Sequence, residues 1–135
     1  FQDYKLLEKR TAEDNIAIPL QIKGISRSVK SAKIKDITHK LKISQILKQQ
    51  VRSLSGGEQQ LIAIARAAVH SPTLILADEP TANLDPRMAT RIFDMLTLLN
   101  EEGMTVVVAT HDINLLKAHK KRILLLKQSA LIEVH

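Results

Sequence analysis

The sequence predicts an α/β protein: a core of parallel strands with an α-helical subdomain ahead of it. Three observations carry this. "TLILA" (73–77) and "TVVVAT" (105–110) are short, continuous apolar runs rich in branched residues. Unbroken rather than alternating hydrophobicity is the pattern of strands covered on both faces, as in a parallel sheet. Between them Ile92, Met95, Leu96 and Leu99 recur at helical spacing, with Gly103 placed to end the helix. Before both, residues 11–52 are lysine-rich and read as short helices.

The 135 residues are enough for one domain. Aromatics are only 2%, so the core must be built from Leu, Ile, Val, Ala and Met, and base-stacking platforms for nucleic acid are scarce. No cysteine is present, which excludes a disulfide framework and thiolate metal sites and suits a reducing compartment. No apolar run approaches the roughly 20 residues of a membrane-spanning helix, and the start has no signal-peptide pattern. The first residue is Phe1, so the chain is expected to be part of a longer protein.

In "TAED", Thr11 is a candidate N-cap with Asp14 three residues on. Pro19 and Gly24 are expected to punctuate the helices that follow, and Val29, Lys33, Ile37 and Leu41 form a partly apolar face. From Lys23 to Arg52 nine basic residues face a single acid, Asp36, within a chain of net charge +6. Such a run is either a solvated helical surface or a face turned toward an anionic membrane or an acidic partner.

"SLSGGEQQLIAIARA" (53–67) opens a helix whose buried stripe is Leu61, Ile64, Ala65 and Ala68. Ser55 and Glu58 have the spacing of a capping box. Capping does not account for Gly56 and Gly57, since glycine in a helical turn costs up to about 1 kcal/mol against alanine. Glycine there lets an anion approach the free N–H groups at the positive end of the helix, and phosphate is the natural candidate.

"LILADEP" is an apolar strand ending in Asp78 and Glu79. Ligands in open α/β sheets bind beyond the carboxyl ends of strands, and neighbouring strand residues point to opposite sides. One carboxylate, Asp78, is then available to a metal and the other, Glu79, to a water; the plainer reading is a pair of acids in a turn before Pro80. "TVVVATHD" delivers His111 to the same edge. Asp85 in "TANLDP" lies in a tight connection, where it also suits the N-cap of the next helix.

Taken in order, these motifs resemble the ATP-binding cassette (ABC) ATPases, from residue 1 to about 126. "LSGGEQQ" is similar to the family signature and "LILADEP" to the Walker B strand with its catalytic glutamate. "TANLD" resembles the D-loop, "ATHD" the switch-histidine loop and "FQD" the Q-loop. Within the family, "FQDYKLL" followed by "RTAEDNIAIPL" is most similar to the bacterial cell-division ATP-binding proteins, with the lipoprotein-release and macrolide-export ATPases as neighbours.

The resemblance implies a partial P-loop NTPase (RecA-like ABC) core, with residues 1–10 as the Q-loop region, 11–54 as the helical subdomain and 55–135 as the second half of the core. It implies ATP and Mg²⁺ as ligands: Asp78 and Gln2 toward the metal, Glu79 polarising the attacking water, His111 at the γ-phosphate. It further implies that Ser55, Gly56, Gly57 and Glu58 meet the nucleotide of a second, head-to-tail cassette, with Asp85 between the two sites. An integral membrane subunit is the implied partner, the inner face of the cell membrane the implied location, and no nucleic acid is expected. Two departures stand out. No G-x-x-x-x-G-K-[ST] phosphate loop occurs in the sequence, and Leu61 stands where the family usually has arginine. In the family the strand entering that loop lies beside the one matching 105–110, so an open edge is expected there. Two other readings stay open: a non-catalytic cassette acting as an interaction module, and a nucleic-acid-binding cassette, which the short spacing from Gln2 to Ser55 disfavours.

Overall fold

The computed structural model describes residues 4–119, 121–128 and 130–134. The elements run α1 (Ala12–Ile22), α2 (Arg27–Lys40), two 3₁₀ turns (Ser44–Ile46 and Val51–Ser53), α3 (Gly56–Ala68), β1 (Leu74–Asp78), α4 (Pro86–Glu101), β2 (Thr105–Ala109), α5 (Ile113–His119), β3 (Ile123–Lys127) and β4 (Ala130–Val134).

Local chemistry sets the helix starts. Thr11 Oγ1 accepts from the Asp14 N–H and Asp14 reaches back to the Thr11 N–H, a complete capping box. Asp85 caps α4 with Pro86 in its first turn. Pro19 does not end α1 but lies inside it. The stop comes at the turn after Ile22, where Gly24 takes φ +65° and Ile25 N–H closes back on Leu20 O at 3.0 Å. The buried face of α2 is Ile34, Ile37 and Thr38, continuing to Leu41. Val29 is exposed and Lys33 half-buried, so the four-residue stripe through them is packed only at Ile37 and Leu41. Thr38 fits because its hydroxyl donates to Ile34 O at 2.7 Å within the helix.

One apolar cluster joins α1, α2, α3, β1 and α4, with Ile16, Leu20, Ile43, Leu61, Ile62, Ile92 and Leu99 among its most buried members. Lys40 ties α2 to the end of α4 through Glu102 (2.9 Å) and also pairs with Asp36 (3.0 Å).

β1 and β2 pair in parallel, Leu74 with Thr105 through Asp78 with Ala109. The sheet is covered on one face only. Ile75, Ala77, Val106 and Val108 meet the core, whereas Leu74, Leu76 and Val107 are exposed, Leu76 to 72%. Coverage on both faces, expected from the unbroken apolar runs, is thus half realised: α4 packs on the Val108 side of β2, and Val107 on the other side is exposed. Among the described residues β2 pairs with no strand but β1, and β3 forms an antiparallel hairpin with β4 rather than joining the parallel pair.

Candidate functional site

The C-terminal edge of the parallel pair gathers three of the side chains singled out above. Asp78, the last residue of β1, is exposed and shares the open face with Leu74 and Leu76. Glu79 follows with φ +44°, a left-handed conformation that costs a non-glycine residue roughly 1–3 kcal/mol and persists only where surrounding contacts impose it. Here they do. Glu79 N–H donates to Ala109 O at 2.8 Å, extending the ladder, and Ala82 N–H donates to Glu79 O at 3.1 Å, closing the turn.

The Glu79 carboxylate is held from the loop after β2. His111 Nδ1 lies 2.7 Å from Oε1, and Thr110 Oγ1 donates to Oε2 at 3.3 Å. Thr110 is itself fixed by the Asp112 N–H (3.1 Å), and Asp112 Oδ1 accepts from Asn114 N–H at the start of α5. The hydrogen bond to Glu79, and then the charge of Glu79, raise the His111 pKa above the ordinary imidazole value; in its charged form His111 donates to the carboxylate. The His111 ring is otherwise open to solvent and free to meet a ligand.

Glu79 also lines a cleft of about 110 Å³ with Tyr4, Pro80, Ala82 and Asn83. Tyr4 bridges this cleft to the start of α3, since its hydroxyl lies 4.0 Å from where a Cβ on Gly56 would sit. Gly56 is exposed and its backbone open, whereas Gly57 is buried against Met88 of α4, whose Cγ would be 2.7 Å from an added Cβ. The two glycines therefore answer different needs: internal packing at Gly57, an accessible helix start at Gly56. Ser55 and Glu58 form the capping box, with Glu58 Oε2 accepting from both the Ser55 N–H and hydroxyl at 2.9 Å. Asp85 Oδ1 accepts from the Arg87 and Met88 N–H groups, both at 3.0 Å, beside the same Met88. Gln2 lies outside the described residues.

Sequence reasoning missed two residues that fix the segment after Gln2. Arg66, half-buried on α3, donates to Tyr4 O (2.7 Å) and Lys5 O (2.8 Å), and burial lowers its pKa. Asn15, fully buried, donates to Leu7 O and accepts from the Leu7 N–H (2.7 Å). The available signal was a polar residue inside a buried stripe. Leu61, where the resemblance puts arginine, is 1% exposed and belongs to the core.

Among the described residues no three His, Cys, Asp or Glu side chains converge into a metal cage. The single exposed carboxylate of Asp78 suits Mg²⁺, which is commonly held by one or two carboxylates together with phosphates and water. No described helix is long and apolar enough to cross a membrane.

The family described as ABC transporter matches residues 1–82. The cell division ATP-binding protein FtsE of Haemophilus influenzae is 42% identical over 130 residues, covering 96% of this chain and 60% of that protein. The lipoprotein-releasing system ATP-binding protein LolD of Hyphomonas neptunium is 42% identical over 134 residues, covering 98% and 58%. Among solved structures, the dimeric structure of MJ0796, a bacterial ABC transporter cassette, aligns with a TM-score of 0.74 at 36% identity, over 87% of this chain and 53% of that one. The chain spans about 60% of the length of the curated relatives it matches. With residues 1–82 matching the family and a bacterial cassette aligned at 36% identity over 87% of the chain, the chain belongs to the ABC transporter family.

Proposed function

We propose that the chain is part of the ATP-binding subunit of an FtsE-like ABC complex, which couples ATP binding and hydrolysis to an integral membrane subunit at the inner face of the cell membrane. The observation that carries this is the Glu79 carboxylate, oriented by His111 and Thr110 at the carboxyl end of a parallel strand. A carboxylate fixed by two donors is pre-positioned to accept a proton from an attacking water, and positioning with charge stabilisation is how phosphoryl transfer is catalysed.

In this reading Asp78 and Gln2 hold Mg²⁺, which supplies charge neutralisation at the phosphate oxygens. His111 turns its solvent-facing side to the γ-phosphate. Ser55, Gly56, Gly57 and Glu58 present the start of α3 to the nucleotide of a second, head-to-tail cassette, and Asp85 sits between the two sites. The division into a Q-loop region (1–10), helical subdomain (11–54) and core half (55–135) belongs to the same reading. The equal identity to LolD supports a lipoprotein-release system as the neighbouring alternative.

The test uses a polypeptide extended upstream by a phosphate-binding loop. Glu79→Gln should lower turnover by about 10²–10⁴-fold, the usual contribution of a general base, while ATP stays bound. Ser55→Arg should block pairing of cassettes. Full turnover in Glu79→Gln would remove Glu79 from the role.

A further inference from the structure

The helical corner formed by the end of α1 and the start of α2 carries charge that the nucleotide site does not use. Lys23, Arg27, Lys30, Lys33 and Lys35 lie within thirteen residues. None of the five forms an ion pair with a described residue, whereas the one acid nearby, Asp36, is taken by Lys40, itself held by Glu102. Lys23 and Lys33 converge on His70 beyond α3, and after burial their charges are the causes that lower its pKa. At the tip stands Ile22, 80% exposed, with Val29 also exposed one turn into α2.

We infer that this corner is a docking surface for an anionic phospholipid bilayer, reached directly rather than only through a membrane protein. Charge of one sign along α2, joined by Lys23 at the C-cap of α1, suits a charged plane. Each Lys or Arg near such a surface contributes about 1 kcal/mol, a factor of roughly five in partitioning. The exposed aliphatic side chain among the cations points to lipid over nucleic acid, because a phosphate backbone has nowhere to bury it. No Phe, Tyr or Trp lies between Ile22 and Arg52 to stack on bases.

The test is flotation of the chain with phosphatidylcholine vesicles, with and without phosphatidylglycerol, on a density gradient in which lipid-free oligomers stay at the bottom. The chain should partition onto the anionic vesicles at least tenfold more strongly and leave them at high salt. Lys23→Gln, Arg27→Gln and Lys35→Gln combined should cost a factor of ten or more, and Ile22→Ser a smaller loss. All three cations are exposed, so the variant should keep its helical circular dichroism. It also keeps every exposed leucine of the sheets, so binding that survives in it comes from those leucines and overturns the proposal. Equal binding to both vesicle types overturns it too, as does an unchanged Ile22→Ser or preferential capture by duplex DNA at equal phosphate. No nucleotide enters the assay, so its outcome is independent of the roles given to Glu79 and Ser55.

Discussion

Met88 of α4 fills the space that a side chain on Gly57 of α3 would need: its Cγ lies 2.7 Å, and its Cε 3.0 Å, from the position of the missing Cβ. Gly57→Ala therefore sets a gain in helix propensity of up to about 1 kcal/mol against overpacking of roughly 1–3 kcal/mol. In the native background the substitution should destabilise. With Met88→Ala beside it the sign should reverse, and Gly57→Ala should stabilise. Denaturant midpoints of the four proteins decide it; the same sign in both backgrounds would show that Met88 does not dictate the glycine.

His111 should titrate above about 6.5, its ordinary value, because Glu79 favours the imidazolium. A group whose pKa is raised in the folded state stabilises it fully below the unfolded value, and that contribution fades as pH rises through the folded value. Glu79→Gln should return the midpoint toward 6.5 and remove the fade. NMR titration of the imidazole measures both, and a midpoint at or below 6.5 in the native protein would contradict the hydrogen bond as the cause.

Leu76 and Val107 are register partners on the open face of the β1–β2 sheet. An apolar face beside a strand with one free edge recruits other chains, so the 135-residue chain should sediment as oligomers or aggregates. Leu76→Lys with Val107→Lys should shift it toward monomer at little cost to folding. A monodisperse native chain with a sharp thermal transition would mean that the edge needs no partner.

By itself the chain should neither bind Mg-ATP tightly nor turn it over, since the sequence holds no G-x-x-x-x-G-K-[ST] loop to keep a γ-phosphate beside Glu79. Steady-state phosphate release from purified protein tests this. Turnover that Glu79→Gln abolishes would show that the remaining residues suffice.

What was legible in the sequence was what neighbours along the chain decide. Both capping boxes, the helix 86–101, the strands around Ile75 and Val107 and the order of motifs follow from residues a few positions apart. The packed face of α2 is not legible from neighbours alone, because apolar residues occur at two spacings there, and only contact with α1 and α3 selects Ile34 and Thr38 over Val29 and Lys33. At the site, Asp78, Glu79 and His111 were legible as strand-end residues. The grip of Thr110 on Glu79 was not, because it joins residues 31 apart through a shared sheet edge. Nor was Arg66, whose partners lie 61 and 62 positions away.

That last separation dictates an order of events during synthesis. Tyr4 and Lys5 leave the ribosome well before Arg66: the guanidinium that grips their carbonyls emerges only after another 61 residues have been added. At about 5–20 residues per second the nascent segment waits several seconds before Arg66 arrives. During that interval α1 can already form, because Thr11, Asp14 and Asn15 provide their own local contacts. The stretch after Gln2 is thus made before its anchor and placed late, and a nascent chain stalled before Arg66 should leave Tyr4 open to protease.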